Sequence, residues 1–141
     1  MRFLILLPLA VLASCSPKED EAPVLKPGIY FGAGRDAACV IGDAAPQRFA
    51  FVAFAEQGDT NCAAEGRIER DEQGWALVPK GEGPCRIPVT VSGDVLAIGN
   101  TPAACAYYCG PGAALKGQRF QWKDTSAMLL KPNPLAHDGI C

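Results

Sequence analysis

Gly66-Arg67-Ile68-Glu69-Arg70-Asp71-Glu72-Gln73-Gly74-Trp75-Ala76-Leu77-Val78 is the stretch on which the fold class turns. Two short runs, Gly66 to Arg70 and Trp75 to Val78, flank Asp71-Glu72-Gln73-Gly74, a polar turn whose glycine accepts a positive φ without steric cost. The pattern predicts a β-hairpin.

The same grammar recurs on both sides. Arg86 to Val91 and Val95 to Ile98 flank Ser92-Gly93-Asp94, a second hairpin signal. Pro84 and Pro88 lack the backbone donor that a ladder needs, which predicts an edge strand there. Upstream, Gly28 to Ala33 opens the domain and Arg48 to Phe54 follows. Period-two alternation puts Phe49 and Phe51 on one face and Val52 and Phe54 on the other, so both faces should be covered. Downstream, Arg119 to Lys123 reads as a closing strand with Phe120 and Trp122 on one side. Short strands punctuated by turn residues predict a mainly β domain, an antiparallel barrel or sandwich.

One helix signal interrupts this pattern, near residues 102–109. Thr101 stands at an N-cap position, Pro102 at the first helical position and Gly110 just past the end. In an α-helix of about two turns, Cys105 and Cys109 lie about 40° apart on one inward face, with Tyr107 roughly opposite and Tyr108 at the boundary.

The chain carries seven cysteines. Cys39, Cys62, Cys85, Cys105, Cys109 and Cys141 are spread along the domain, and in an exported protein an even set implies disulfides. Spacing alone leaves all 15 or so pairings open. The apolar content is rich in Ala and poor in Leu and Ile, so covalent staples would compensate for a core of small side chains.

The seventh cysteine has a different setting. Arg2 and the apolar run Phe3 to Leu12 have the dimensions of a secretory signal and are too short to span a bilayer. Leu12-Ala13-Ser14-Cys15 ends that run and resembles the lipobox of bacterial lipoproteins. The resemblance implies removal of residues 1–14, acylation of Cys15, stable membrane attachment and, with Ser16 next, sorting to the outer membrane facing the periplasm. Residues 15–26, with the charged run Lys18-Glu19-Asp20-Glu21, read as a flexible tether, and 27–141 as a single domain.

Loss of Arg2 leaves 12 basic against 15 acidic side chains, with no basic stripe for nucleic acid. No dinucleotide or phosphate-binding glycine pattern, calcium loop or zinc-finger spacing appears. Ser92 or Ser126 with His137 and Asp138 could supply triad residue types, but neither serine sits in a nucleophile elbow. The Arg67-to-Glu72 charge run reads as a solvated hairpin face rather than paired catalytic carboxylates. The sequence therefore predicts neither an enzyme nor a cofactor or metal site.

It predicts a binding module for a protein partner, with Tyr107 and Tyr108 beside the rigid Gly110-Pro111-Gly112 turn as the candidate contact. In size, anchor and β character the chain is similar to the membrane-bound lysozyme inhibitors, small periplasmic barrels, although none of their motifs is matched. Two other readings remain open at this level. One is a copper or thiol-redox carrier using Cys105, Cys109 and His137, which as a C-x-x-x-C plus histidine resembles the ligand set of thioredoxin-fold copper-delivery proteins. The other is an envelope scaffold or assembly factor. Trp75 and Trp122 could also stack on a glycan.

Overall fold

The computed structural model describes residues 24–124. Eight strands run β1 (Gly28–Phe31), β2 (Ala37–Ile41), β3 (Arg48–Phe54), β4 (Asn61–Asp71), β5 (Gly74–Pro79), β6 (Ile87–Ser92), β7 (Val95–Ile98) and β8 (Arg119–Asp124). Each pairs antiparallel with its sequence neighbour, and β8 pairs back onto β1, closing the sheet into a barrel. A six-residue 3-10 helix, η1 (Ala103–Tyr108), lies in the β7–β8 connection. The fold is the barrel form of the predicted class.

Alternation fills the inside. Tyr30, Val40, Phe49, Phe51, Ile68, Leu77, Ile87, Val89, Leu96, Ile98 and Phe120 converge on one core. Register puts them level with one another: Val40 faces Phe49, Ile68 faces Leu77, and Leu96 faces Phe120. The space left among Val40, Phe51, Leu77, Leu96 and Phe120 is about 10 Å³, one water at most. An eight-stranded barrel is narrow enough for side chains to close it, and here they do, so a ligand has to be met on the outside.

Gly66 shows how tight the wall is. Its position opposite Phe49 turns inward, where a methyl group would overlap the Val78 carbonyl oxygen and lie 2.8 Å from the Pro79 Cα.

The structure corrects two expectations and adds one strand. The strand with Pro88 is not an edge: β6 pairs with both β5 and β7. Pro88 falls one residue beyond the last β6–β7 pair, where its carbonyl alone is used, accepting from Gly99 N–H at 2.8 Å. The missing donor thus costs no ladder bond. The domain also begins before residue 27. Leu25 is buried in the core, and its backbone is held as a strand would hold it by the buried Gln47 side chain, which accepts from Leu25 N–H at 2.8 Å and donates to Leu25 O at 2.7 Å. Finally, β2 is a strand that the alternation of Ala37-Ala38-Cys39-Val40-Ile41 did not announce, because nearly all of it is buried on both faces.

Tyr30 ties the N-terminal segment to the core. Its hydroxyl donates to Lys26 O at 2.8 Å. Burial, with a smaller contribution from the Asp94 carboxylate, pushes the phenol up from 10.0 to about 12. The folded state favours the neutral phenol, so this stabilisation is complete below pH 10 and is lost as the pH rises toward 12. Phenolate absorbance should show one tyrosine titrating near 12, and Tyr30→Phe should remove that late step and flatten the pH dependence of the melting temperature between 10 and 12. A late step that survives in Tyr30→Phe would contradict the assignment.

Candidate functional site

An up-and-down barrel has two ends, and here they differ. One end carries short turns after β2, β4 and β6, together with residues 24–27 and the exit of β8. The other carries the connections 32–36, 55–60, 80–86 and 99–118. Most of the chain free to make a surface is therefore at the end away from the N-terminal segment.

The longest of these connections is held by sulfur. Cys105 of η1 bonds Cys85 in the β5–β6 loop, and Cys109 at the end of η1 bonds Cys62 at the start of β4. Cys39 is likewise disulfide-bonded, to a sulfur outside the described residues. Cys15, Cys141 and His137 lie outside the described residues, as do Ser126 and Asp138.

The predicted α-helix is a 3-10 turn instead, with Pro102 rather than Thr101 at its N-cap and no side-chain cap. At three residues per turn, positions i and i+4 diverge by about 120° rather than 40°. That divergence lets the two cysteines reach partners on separate elements. A backbone bridge from Cys62 to Cys109 and a Gly110 N–H to Asn61 O bond of 2.9 Å continue the attachment. Gly110-Pro111-Gly112-Ala113 then turns, with Ala113 N–H donating to Gly110 O at 3.1 Å and φ of 80° at Gly112, a type II arrangement.

On this stapled segment the two tyrosines divide. Tyr108 packs against the core, and its hydroxyl donates to Lys80 O at 3.1 Å. Tyr107 is 88 % exposed and meets Tyr108 edge to face at 5.3 Å. At the same end of the barrel, Thr60, Pro111, Gly112, Lys116 and Gln118 line a cleft of about 500 Å³. It adjoins a second cleft of about 390 Å³, where the Arg35 guanidinium lies 3.9 Å over the Phe54 ring and bonds Asp59 at 2.8 Å. No sequence signal announces this Arg35–Phe54 corner, since its residues are 19 positions apart and lie in no motif.

The wall below is fixed by charge. Arg86, next to Cys85, pairs with Glu69 and Asp71 of β4, and Arg67 with Glu69 at 2.6 Å. The Arg86 hydrogen bond holds the Glu69 carboxyl below its ordinary range, and the Gln73 backbone N–H does the same for Asp71. This is the solvated hairpin face of a structural network, with each carboxylate stabilised in its charged form.

The remaining candidates fall elsewhere. Trp75 and Trp122 are half-buried against the core, Trp122 donating to Pro27 O at 3.1 Å at the N-terminal end. Cys105 and Cys109 present no thiol while bonded to Cys85 and Cys62, so metal or redox carriage would first require reduction.

Replacing Cys85 and Cys105 together by alanine should lower stability by about 3 kcal/mol, the closure entropy of a 20-residue loop. Urea unfolding measures it, and a loss below about 1 kcal/mol would show that the loop end does not depend on the staple. Comparison with protein-family models, curated proteins and solved structures gives no match.

Proposed function

We propose that the protein is a non-catalytic, lipid-anchored module of the bacterial envelope that binds a protein partner through the loop end centred on Tyr107. The supporting observation is the combination of near-complete exposure of Tyr107 with its placement on a segment bonded at Cys105 and Cys109 to two separate elements. A contact ring on an unordered loop binds at an entropic cost, because the loop must be ordered with it. Here the backbone beneath it is already ordered. Rigid aromatic side chains of this kind supply large contact area with few torsions to freeze, and they dominate binding energy where they occur.

The ends of the barrel agree with an anchor. The resemblance of Leu12-Ala13-Ser14-Cys15 to a lipobox places the acyl chains upstream of Val24, and Val24 to Pro27 lie at the short-turn end. Tyr107 stands at the opposite end, about 15–20 Å away along strands of this length. A domain tethered through Cys15 would therefore hold the Tyr107 end away from the membrane, toward the periplasm if the lipid sits in the outer membrane. The filled interior supports an external contact rather than a small molecule held in the barrel. Lysozyme is the first partner to test, given the similarity in size and barrel class to the membrane-bound lysozyme inhibitors.

A photo-crosslinking side chain at position 107 should trap a discrete partner in native membranes, and one at exposed Val91, near the short-turn end, should not. Tyr107→Ala should fold with stability unchanged within about 0.5 kcal/mol yet bind the trapped partner roughly 30-fold more weakly. Equal trapping at both positions, or unchanged affinity in Tyr107→Ala, would remove the reading. The same variant in a lysozyme lysis assay separates inhibition through this surface from inhibition through another.

A further inference from the structure

The outside of a barrel wall is ordinarily polar, yet one part of this wall is not. Ile29, Ala37, Cys39, Ala50 and Val52 alternate with the core residues of β1, β2 and β3 and so lie on the outer face, but each is at most 5 % exposed. Register makes them one patch: Ile29 faces Cys39, Cys39 faces Ala50, and Ala37 faces Val52. The main packing between the described elements joins neighbouring strands and sets η1 against β4. At the centre of the patch, Cys39 is bonded to a sulfur outside residues 24–124.

We infer that residues 125–141 dock on this outer face and that Cys141 is the partner of Cys39. Reach alone does not choose the occupant. The chain leaves β8 at Asp124, which pairs with Ile29, so Cys39 is about 10 Å away across two strand spacings, and 17 residues span far more. Cys15 is also within reach of the barrel.

Composition does choose, once residues 1–14 are removed as the lipobox reading proposed above implies. Residues 15–23 read Cys-Ser-Pro-Lys-Glu-Asp-Glu-Ala-Pro, with no apolar side chain larger than that of proline. Residues 125–141 include Met128, Leu129, Leu130, Leu135 and Ile140. A thioether at Cys15 would also withdraw that sulfur from any disulfide. Small residues at Ala37 and Ala50 leave room for a segment to lie close to the sheet, and its apolar side chains are what the patch lacks. Forming the bond takes one proton and one electron from each thiol, the electrons passing to a disulfide oxidant of the exporting compartment.

Purification from membranes without reductant, alkylation and proteolysis should yield a peptide pair joining Cys39 to Cys141. A Cys39–Cys15 pair, or an alkylated Cys141, would overturn the assignment. Hydrogen exchange on the same native protein tests the docking separately: amides within 126–141 should exchange at least about tenfold more slowly than in an unstructured chain, and Ala50→Arg should abolish that protection while β5 to β7 keep theirs. Unprotected amides in the native protein would sink the docked segment even with the disulfide in place. Neither readout involves Tyr107, so failure here and failure of partner binding are distinguishable.

Discussion

Closure of the ring depends on a connection that has little reason to be ordered. Between β7 and β8 the chain runs from Gly99 to Gln118 with only η1 for regular structure, and β8 must still return to pair with both β7 and β1. Bringing the ends of such a loop together costs entropy that six residues of uncapped 3-10 helix do not recover. Two disulfides take up that role by fastening η1 to the start of β4 and to the β5–β6 loop. The last strand thus arrives with its connection largely fixed, and an eight-stranded barrel replaces an open sheet with two edges.

The same constraint separates the two ends of the molecule. At the short-turn end the attachments are polar: Gln47 substitutes for a strand beside Leu25, Lys26 pairs with Asp94 at 2.6 Å, and Trp122 reaches Pro27. At the loop end they are covalent. Between them, aromatic and branched side chains fill the interior, with Ala38 and Ala53 among them. Gly66 admits the close approach of β5, and Ala37 and Ala50 keep the outer face of β2 and β3 low.

Much of the barrel is legible before any coordinates. The Asp71-to-Gly74 and Ser92-to-Asp94 turns mark hairpins because a positive φ demands glycine, and Gly74 and Gly93 have it. Arg48 to Phe54 announces burial on both faces, which β3 has at Phe49, Ala50, Phe51 and Val52. Less legible are features that tertiary context decides. Pro88 signals an edge only if its missing donor would face a neighbour, and its place at the end of a ladder is not a local property. The caps at Thr101 and Gly110 are shared by α and 3-10 turns, so they do not set the pitch. At the surface, sequence singled out both tyrosines, but only packing distinguishes the one that covers the core from the one that does not. The Arg35–Phe54 corner arises where the β1–β2 connection meets the end of β3, which the β2–β3 register decides.

What matters most for the proposed role is that the backbone beneath Tyr107 is rigid before any partner arrives. Amide order parameters across 103–110, measured on the oxidised protein and again on Cys62→Ala/Cys109→Ala, test this directly. The account predicts values near 0.85 in the oxidised protein, equal to those of the barrel strands, and below about 0.6 in the variant. Low values in the oxidised protein, or values unchanged by loss of the bridge, would contradict it.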